Sequence, residues 1–240
     1  MIRLVSWNIA LGTQLAQVLE GLVSLPPPTV IALQELSVHD GANDAERIAR
    51  WLGPAWRARQ VTAQVVSGRP QANGFVWDSR RLDVLGLRSI DLPPPSGRIM
   101  RRLPRSRRNA LVMVARMGRR RLRTYSVHFD VLGTTHRHAQ LARVLADALS
   151  ADRVDISLIA GDMNTYGIGG RPGWAGLQRL AHSAGFEDVT VGIGWTHRRL
   201  GLRQKLDAVF ASPRGLQHQA RRARLPGSDH IPVMVEIQPQ

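Results

Sequence analysis

The chain has no cysteine, a single lysine and few aromatic residues. Without thiols there is no disulfide, no thiolate zinc site and no cysteine nucleophile, so any metal must be held by oxygen or imidazole. Lys205 is the only lysine, which leaves arginine to carry nearly all of a formal net charge of +15. Arginine pairs bidentately with phosphate, so the balance points to phosphate-rich partners; an arginine-biased genome is the plainer explanation. Aromatics at 5% of residues are sparse for a groove that stacks nucleic-acid bases. No apolar run reaches the roughly 18 residues of a membrane span, and the N-terminal stretch has no signal-peptide pattern. The expectation is a cytoplasmic monomer without a transmembrane segment. Peripheral contact with anionic surfaces stays open through its arginines.

What is present is ordinary globular material. A hydrophobic content of 43% over 240 residues supports one domain spanning 1–240. Periodicity reads "IRLVSWNIA" as a strand, "TQLAQVLEGLVSL" as an amphipathic helix and "TVIALQEL" as a second buried strand. A helix at "NDAERIARWLG" follows, with Asn43 and Glu46 at capping-box spacing. Strands then dominate through "LRTYSVHFD". The alternation resumes with helix "THRHAQLARVLADALS", strand "DISLIAGDMN", helix "AGLQRLAHSAG" and strands "KLDAVFASP" and "IPVMVEIQ". Helices at both ends of a run of strands predict an α/β or α+β fold, with sheets enclosed by helices. The one compositional break is a Pro- and Arg-rich loop at 93–109.

Polar residues collect at the strand ends. The first strand ends in Asn8 and the second in Glu35; "TYSVHFD" carries His128 and Asp130, and "SLIAGDMN" delivers Asp162 and Asn164. Asp207 lies inside "KLDAVF", and "GSDHIPVMV" opens with Asp229 and His230. Singly, each amide or acid could close a turn or cap a segment. Asp207 differs, because an ionised carboxylate within an apolar run requires a His or Arg partner from elsewhere. Carboxylates with neutral amides suit a hard cation such as Mg²⁺ or Mn²⁺, and histidines beside them suit proton transfer or charge stabilisation on a phosphoryl oxygen.

Taken in order, "SWNIA", "LQEL", "YSVHFD", "GDMN", "LDAVF" and "SDHIP" resemble the endonuclease/exonuclease/phosphatase superfamily, which includes pancreatic-type deoxyribonucleases, abasic-site endonucleases, inositol polyphosphate phosphatases and bacterial sphingomyelinases. The resemblance implies a four-layer sandwich of two mixed β-sheets flanked by helices, with a divalent-metal site at one edge. It implies that Glu35, with Asn8, binds Mg²⁺ and that Asp229 joins the metal network. Asp162 would orient or deprotonate the attacking water, and Asn164 would hold that water and a phosphate oxygen. His230, oriented by Asp207, would contact the scissile phosphate, and His128 would stabilise the phosphate or assist the leaving group. Asp162 and Asn164, two apart on an extended segment, would point to one face.

Other residues invite weaker readings. His136 and His138 are expected on a solvated first helical turn, and His39 on an exposed loop. "YGIGG" lacks the spacing of a nucleotide-binding glycine loop. Arg108, in the basic stretch Arg98–Arg123, and Trp195, in "GWTH", are candidates to contact substrate. The expected activity is Mg²⁺-dependent phosphoester hydrolysis, foremost as a nuclease or phosphodiesterase. The alternatives are a phosphatase or phosphodiesterase for a lipid headgroup or small metabolite, and a non-catalytic phosphate-binding module. Asp162→Ala and His230→Ala should each cut Mg²⁺-dependent hydrolysis on the order of 10²-fold or more with the fold intact. Near-normal turnover by either variant, with an unchanged circular dichroism spectrum, refutes the assignment.

Overall fold

Two-residue alternation along the strands gives each of them one face for a shared core and one for a helix layer. A computed structural model describes residues 1–94, 107–131, 133–166 and 171–238. The basic loop expected at 93–109 and the glycines of "YGIGG" fall almost wholly outside the described residues. In chain order the elements begin β1 (Ile2–Asn8), α1 (Leu15–Ser24), β2 (Val30–Leu36), β3 (Val38–His39), β4 (Ala42–Asn43) and α2 (Asp44–Leu52). Next are β5 (Trp56–Val66), β6 (Arg69–Asp78), β7 (Asp83–Leu92), β8 (Arg108–Met117), β9 (Arg120–His128) and α3 (Thr134–Ser150). The order continues with β10 (Ile156–Asp162), α4 (Arg171–Ser183), β11 (Glu187–Asp188), β12 (His197–Arg199) and β13 (Leu202–Gln204). β14 (Asp207–Ser212), β15 (His218–Arg222) and β16 (Val233–Ile237) close the described chain.

Twelve of the strands form two mixed sheets, ordered β15-β16-β1-β2-β6-β5 and β11-β14-β10-β9-β8-β7, and β3-β4 and β12-β13 are separate two-stranded ribbons. Ile2, Leu4, Ala32 and Phe75 of the first sheet share one core with Leu111, Met113, Leu158, Ala160 and Val209 of the second. On the outer face of the first sheet, Val5, Trp7 and Ile31 pack with Leu15, Val18 and Leu22 of α1 and Ile48 of α2. On the outer face of the second, Tyr125, Val127 and Ile159 pack with Leu141, Val144 and Leu145 of α3 and Leu177 of α4. The architecture is the expected four-layer α/β sandwich. Among the described residues no helix is long and apolar enough to cross a membrane.

Each sheet contains one parallel pair near its centre, β1 with β2 and β9 with β10. Parallel neighbours finish at the same edge, so whatever their last residues carry is delivered together, as in other sheets that bind ligands at carboxyl ends. The inter-sheet filling changes character toward that edge. Gln34 Nε2 donates to Ser126 Oγ at 3.1 Å, and Ser126 Oγ donates to the Leu33 carbonyl at 3.0 Å. The apolar core thus gives way to a buried, hydrogen-bonded polar layer one step before the strand ends.

One local expectation is revised, and one strand is present that the sequence pattern does not announce. Asn43 does precede α2, but its side chain donates to Glu46 Oε1 at 3.2 Å and makes no cap bond to the helix backbone. β15, with sequence HQARR, shows no apolar alternation and exists as an edge strand because β16 supplies its whole ladder. Across the second sheet, Asp147 of α3 accepts from both Nη atoms of Arg88 at 2.9 and 2.6 Å and from the Tyr125 hydroxyl at 2.8 Å. Burial alone would raise this carboxyl, but those hydrogen bonds outweigh it and hold Asp147 below the usual carboxylate range. A depressed folded-state value contributes stability that is present above the unfolded value and lost as pH falls through the folded one. Asp147→Ala, which strands the buried Tyr125 hydroxyl, should cost about 2 kcal/mol. Urea denaturation checks this, and the stability of the variant should fall less steeply with acidification than that of the parent.

Candidate active site

Register builds the site. Along β9 and β10, Asp162 pairs with His128, and on the other side of β10 it pairs with Asp207 at the start of β14. Asp162 continues the inward row Ile156, Leu158, Ala160, so its carboxylate ends the inter-sheet core instead of facing the helices. Asn8 reaches across from the first sheet and donates Nδ2 to Asp162 Oδ2 at 3.0 Å and to Glu35 Oε1 at 3.2 Å. Glu35 owes its direction to an irregularity: the β2–β6 register shifts between Leu33 and Leu36, and Glu35 has φ of 52°. A bulge of this kind re-aims one side chain, and a non-glycine residue in the left-handed region marks stored strain.

Gly161 lets β9 and β10 approach so closely. Its φ is +153°, and a Cβ there would run into the Val127 backbone carbonyl. Asn164 departs from the extended geometry expected of it. Its φ is 48°, its backbone N–H donates to Asp162 Oδ1 at 2.9 Å, and its Nδ2 donates to the Phe129 carbonyl at 2.8 Å. The acid and the amide are therefore neighbours through a turn, not through a shared strand face, and the amide's NH₂ ties two loops together.

His230 Nδ1 lies 2.9 Å from Asp207 Oδ2, the partner that the apolar run around Asp207 demanded. Burial alone would lower His230, but Asp207 and Asp162 override it and push the imidazole up to about 10. Both ring nitrogens then carry protons, and Nε2 faces Asp162 Oδ2 at 3.7 Å. Burial, with the nearby Asp207 charge, pushes Asp162 up to about 6 against the opposing pull of His230.

His128 is of the opposite kind. Burial first, then Arg108 and His230, push it well below its ordinary value, so it is neutral. Arg108 Nη1 lies 3.0 Å from Nδ1, and since guanidinium can only donate, the proton of His128 is on Nε2. That Nε2 stands 3.6 Å from Glu35 Oε1 and 3.7 Å from Asp162 Oδ2.

Glu35, Arg108, His128, Asp162, Asn164, Asp229 and His230 line one cleft of about 530 Å³. Trp195 does not: it lies outside the lining, beneath the guanidinium groups of Arg203 and Arg222 at 5.0 and 5.1 Å from the ring centre. His136 is buried, not solvated, and bonds Asp130 Oδ2 at 3.1 Å. His39 is pinned to Asp44 Oδ1 at 2.8 Å instead of lying free on its loop. Three lining or adjoining residues gave no signal in the sequence. Tyr166 and Arg199 belong to the cleft wall, and buried His197 packs on His230 with ring centres 4.6 Å apart and Nε2 3.4 Å from Asp229 Oδ2.

The donor set suits a hard divalent cation. Glu35, Asp162 and Asp229 present carboxylate oxygen to one cleft, and among the described residues His197, Asp229 and His230 also form a compact ligand-capable group. A second such group, Asp162, Asp207 and His230, is already joined by the His230–Asp207 bond. Asn8 fits less directly, since its Oδ1 accepts the Ala10 N–H at 3.1 Å and its NH₂ faces the carboxylates.

The raised His230 contributes stability that is fully present below about 6.5, its ordinary value, and is lost as pH rises through about 10. In Asp207→Asn, the ¹⁵N NMR titration of His230 should fall by at least about one unit. An unmoved titration would disprove that Asp207 sets the charge of this imidazole.

A sequence profile of the Endonuclease/Exonuclease/phosphatase family matches residues 5–230. No curated protein sequence matches the chain. Among solved structures, an endonuclease/exonuclease/phosphatase family protein from Leptotrichia buccalis superposes with a TM-score of 0.77 at 15% identity, covering 99% of this chain and 100% of that one. D. rerio TDP2 complexed with single strand DNA product gives 0.69 at 19% identity over 99% and 98% of the two chains. The mannosyl-6-phosphatase Bt3783 of Bacteroides thetaiotaomicron gives 0.70 at 14% identity over 99% and 100%. With the sandwich, the acid-and-histidine cleft and a profile match over nearly its whole length, this chain belongs to the endonuclease/exonuclease/phosphatase family and is a metal-dependent phosphoesterase.

Proposed function

We propose that the protein is a phosphodiesterase that cleaves nucleic-acid strands by attack of water on phosphorus, with Mg²⁺ or Mn²⁺ as its cofactor. The observation that carries this reading is the convergence on Asp162 Oδ2 of Asn8 Nδ2 at 3.0 Å and of the Nε2 atoms of His128 and His230, both at 3.7 Å. This buried oxygen lines the cleft and is held as an anion by the donors around it, which suits it to orient an attacking water or take its proton. A value near 6 leaves Asp162 largely ionised at neutral pH yet basic enough to accept that proton.

The charged imidazole of His230 supplies an N–H toward a non-bridging phosphate oxygen, and its bond to Asp207 keeps it aimed without reorganisation during the reaction. Neutral His128 offers a second N–H. Arg108 is buried and held by Gln71 Oε1 at 2.8 Å, with Asp130 at 4.0 Å, and its charge faces the same cleft. Burial lowers this guanidinium from its ordinary value while Asp130, Glu35 and Asp162 hold it up. A divalent cation bound at Glu35, with Asp229, would neutralise charge building on the phosphate. Asn164 shapes the loop behind Asp162.

The excess of arginine supports a nucleic-acid substrate, as does the likeness to a protein solved with a single strand DNA product. A panel of plasmid, abasic duplex, single-stranded RNA, phosphoinositide, sphingomyelin and nucleotide phosphates, each with Mg²⁺ and with chelator, tests the reading. Metal-dependent cleavage of a polynucleotide that is lost in Asp162→Ala is the expected result. Hydrolysis confined to lipid or small-molecule esters overturns the nuclease assignment.

A further inference from the structure

Two groups of arginines on paired strands differ in their partners. At the ends of β8 and β9 remote from His128, Arg116 pairs with Asp83 at 2.6 Å and Arg120 with Asp155 at 3.7 Å. On the β12–β13 ribbon the guanidinium groups are not neutralised. Among the described residues, Arg198, Arg199 and Arg203 have no carboxylate within ion-pair distance. Arg198 and Arg203 are directly opposed across the two strands, as Arg116 and Arg121 are across β8 and β9, but the second pair has Asp83 at 2.6 Å and Asp152 at 4.0 Å beside it. Like charges directly opposite destabilise a ribbon, and although Arg203 lies over the Trp195 ring at 5.0 Å, neither guanidinium of the Arg198–Arg203 pair has a carboxylate partner among the described residues.

The ribbon is held firmly all the same. His197 forms a bridge with His230, the Arg198 N–H donates to the Asp229 carbonyl at 3.0 Å, and the Ile231 N–H donates to the Thr196 carbonyl at 2.6 Å. The repulsive pair is thus stitched to the segment that carries His230. Alternation places Arg199 on the other face of the ribbon, where it lines the cleft. One ribbon therefore presents guanidinium both inside the reaction cleft and immediately outside it.

We propose that the β12–β13 ribbon is a flanking-phosphate subsite, in which Arg198 and Arg203 together clasp a phosphate next to the scissile one on a single-stranded nucleic acid. The inference rests on the nuclease reading and adds where the strand continues after leaving the cleft. An anion between opposed guanidinium groups removes their repulsion and forms charge-assisted hydrogen bonds with both. Recognition here is by charge and not by base stacking, since Trp195 beside the ribbon already has Arg203 and Arg222 over its ring. A discrete opposed pair suits one phosphate. The exposed apolar area of the ribbon, Leu200 and Leu202, is small for insertion into a bilayer.

The test measures binding of a fluorescein-labelled oligothymidylate in chelator, across a salt series, by anisotropy. For Arg198→Gln/Arg203→Gln the affinity at low salt should fall about tenfold or more. The slope of log K against log salt should become shallower by about 0.7, the value for one single-strand phosphate contact. The equally charged control Arg116→Gln/Arg120→Gln should match the parent within about twofold, which separates a subsite from general charge. Because repulsion is relieved, the melting temperature of the ribbon variant should not fall; should it fall, Arg203→Gln alone gives the same reading at about half the slope change. Equal losses in ribbon variant and control overturn the proposal. So does binding to phosphatidylserine vesicles, lost with the same arginines, while the oligonucleotide goes unbound. Wild-type hydrolysis of bis(4-nitrophenyl) phosphate, which has one phosphate, reports on the diesterase reading separately. Turnover of that ester without oligonucleotide binding sinks the subsite alone, and ribbon-dependent binding without any turnover sinks the diesterase reading alone.

Discussion

Asp207 is sealed from water on an apolar strand, with one carboxylate oxygen bonded to His230 and the other without a hydrogen-bond partner among the described residues. Burying a carboxylate is costly unless a cation is held against it, and His230 is the cation held here. The rest of the centre is arranged around that pair. A protonated His230 keeps Asp162 from rising further, burial first and then Arg108 and His230 drive His128 to neutrality, and the sheet register keeps all of them adjacent. Two imidazoles within one cleft are thereby given opposite charge states by their surroundings, which is how a small set of residues divides its work.

Much of this was legible in the sequence, for identifiable reasons. Strands whose side chains alternate between core and helix layer announce themselves by composition, and Asp207 stood out because an acid inside such a run needs a partner. Glu35, Asp162 and His230 were exposed by their positions at strand ends. What could not be read depended on turns and on cross-chain neighbours. The left-handed residues Glu35 and Asn164 carry no local mark, because neither is glycine. His136 looked like a first-turn surface residue, yet Asp130 and Gln140 enclose it. His197 gave no hint, since its role comes from a bridge to a residue more than thirty positions away.

The absence of cysteine and near absence of lysine also acquire meaning in the structure. Oxygen and imidazole are the ligand atoms the cleft offers, which suits hard cations and disfavours zinc-type thiolate chemistry. Guanidinium, with a planar fork and weak hydration, is the cation that tolerates the burial Arg108 endures, where an ammonium would shed its proton more readily. The arginine content therefore serves two environments at once, the dry wall behind the reaction cleft and the wet ribbon beside it.

Gly161 of β10 lies against β9 with no room for a side chain on that side. The hinge between the acid and its neighbouring imidazole consequently has no play, and it cannot be loosened one atom at a time. The short ribbon at the rim is different, since Arg198, Leu200 and Arg203 are exposed and their side chains can change without opening a cavity, while its His197 stays packed on His230. A joint that admits no change and a rim that admits many thus lie side by side in one chain.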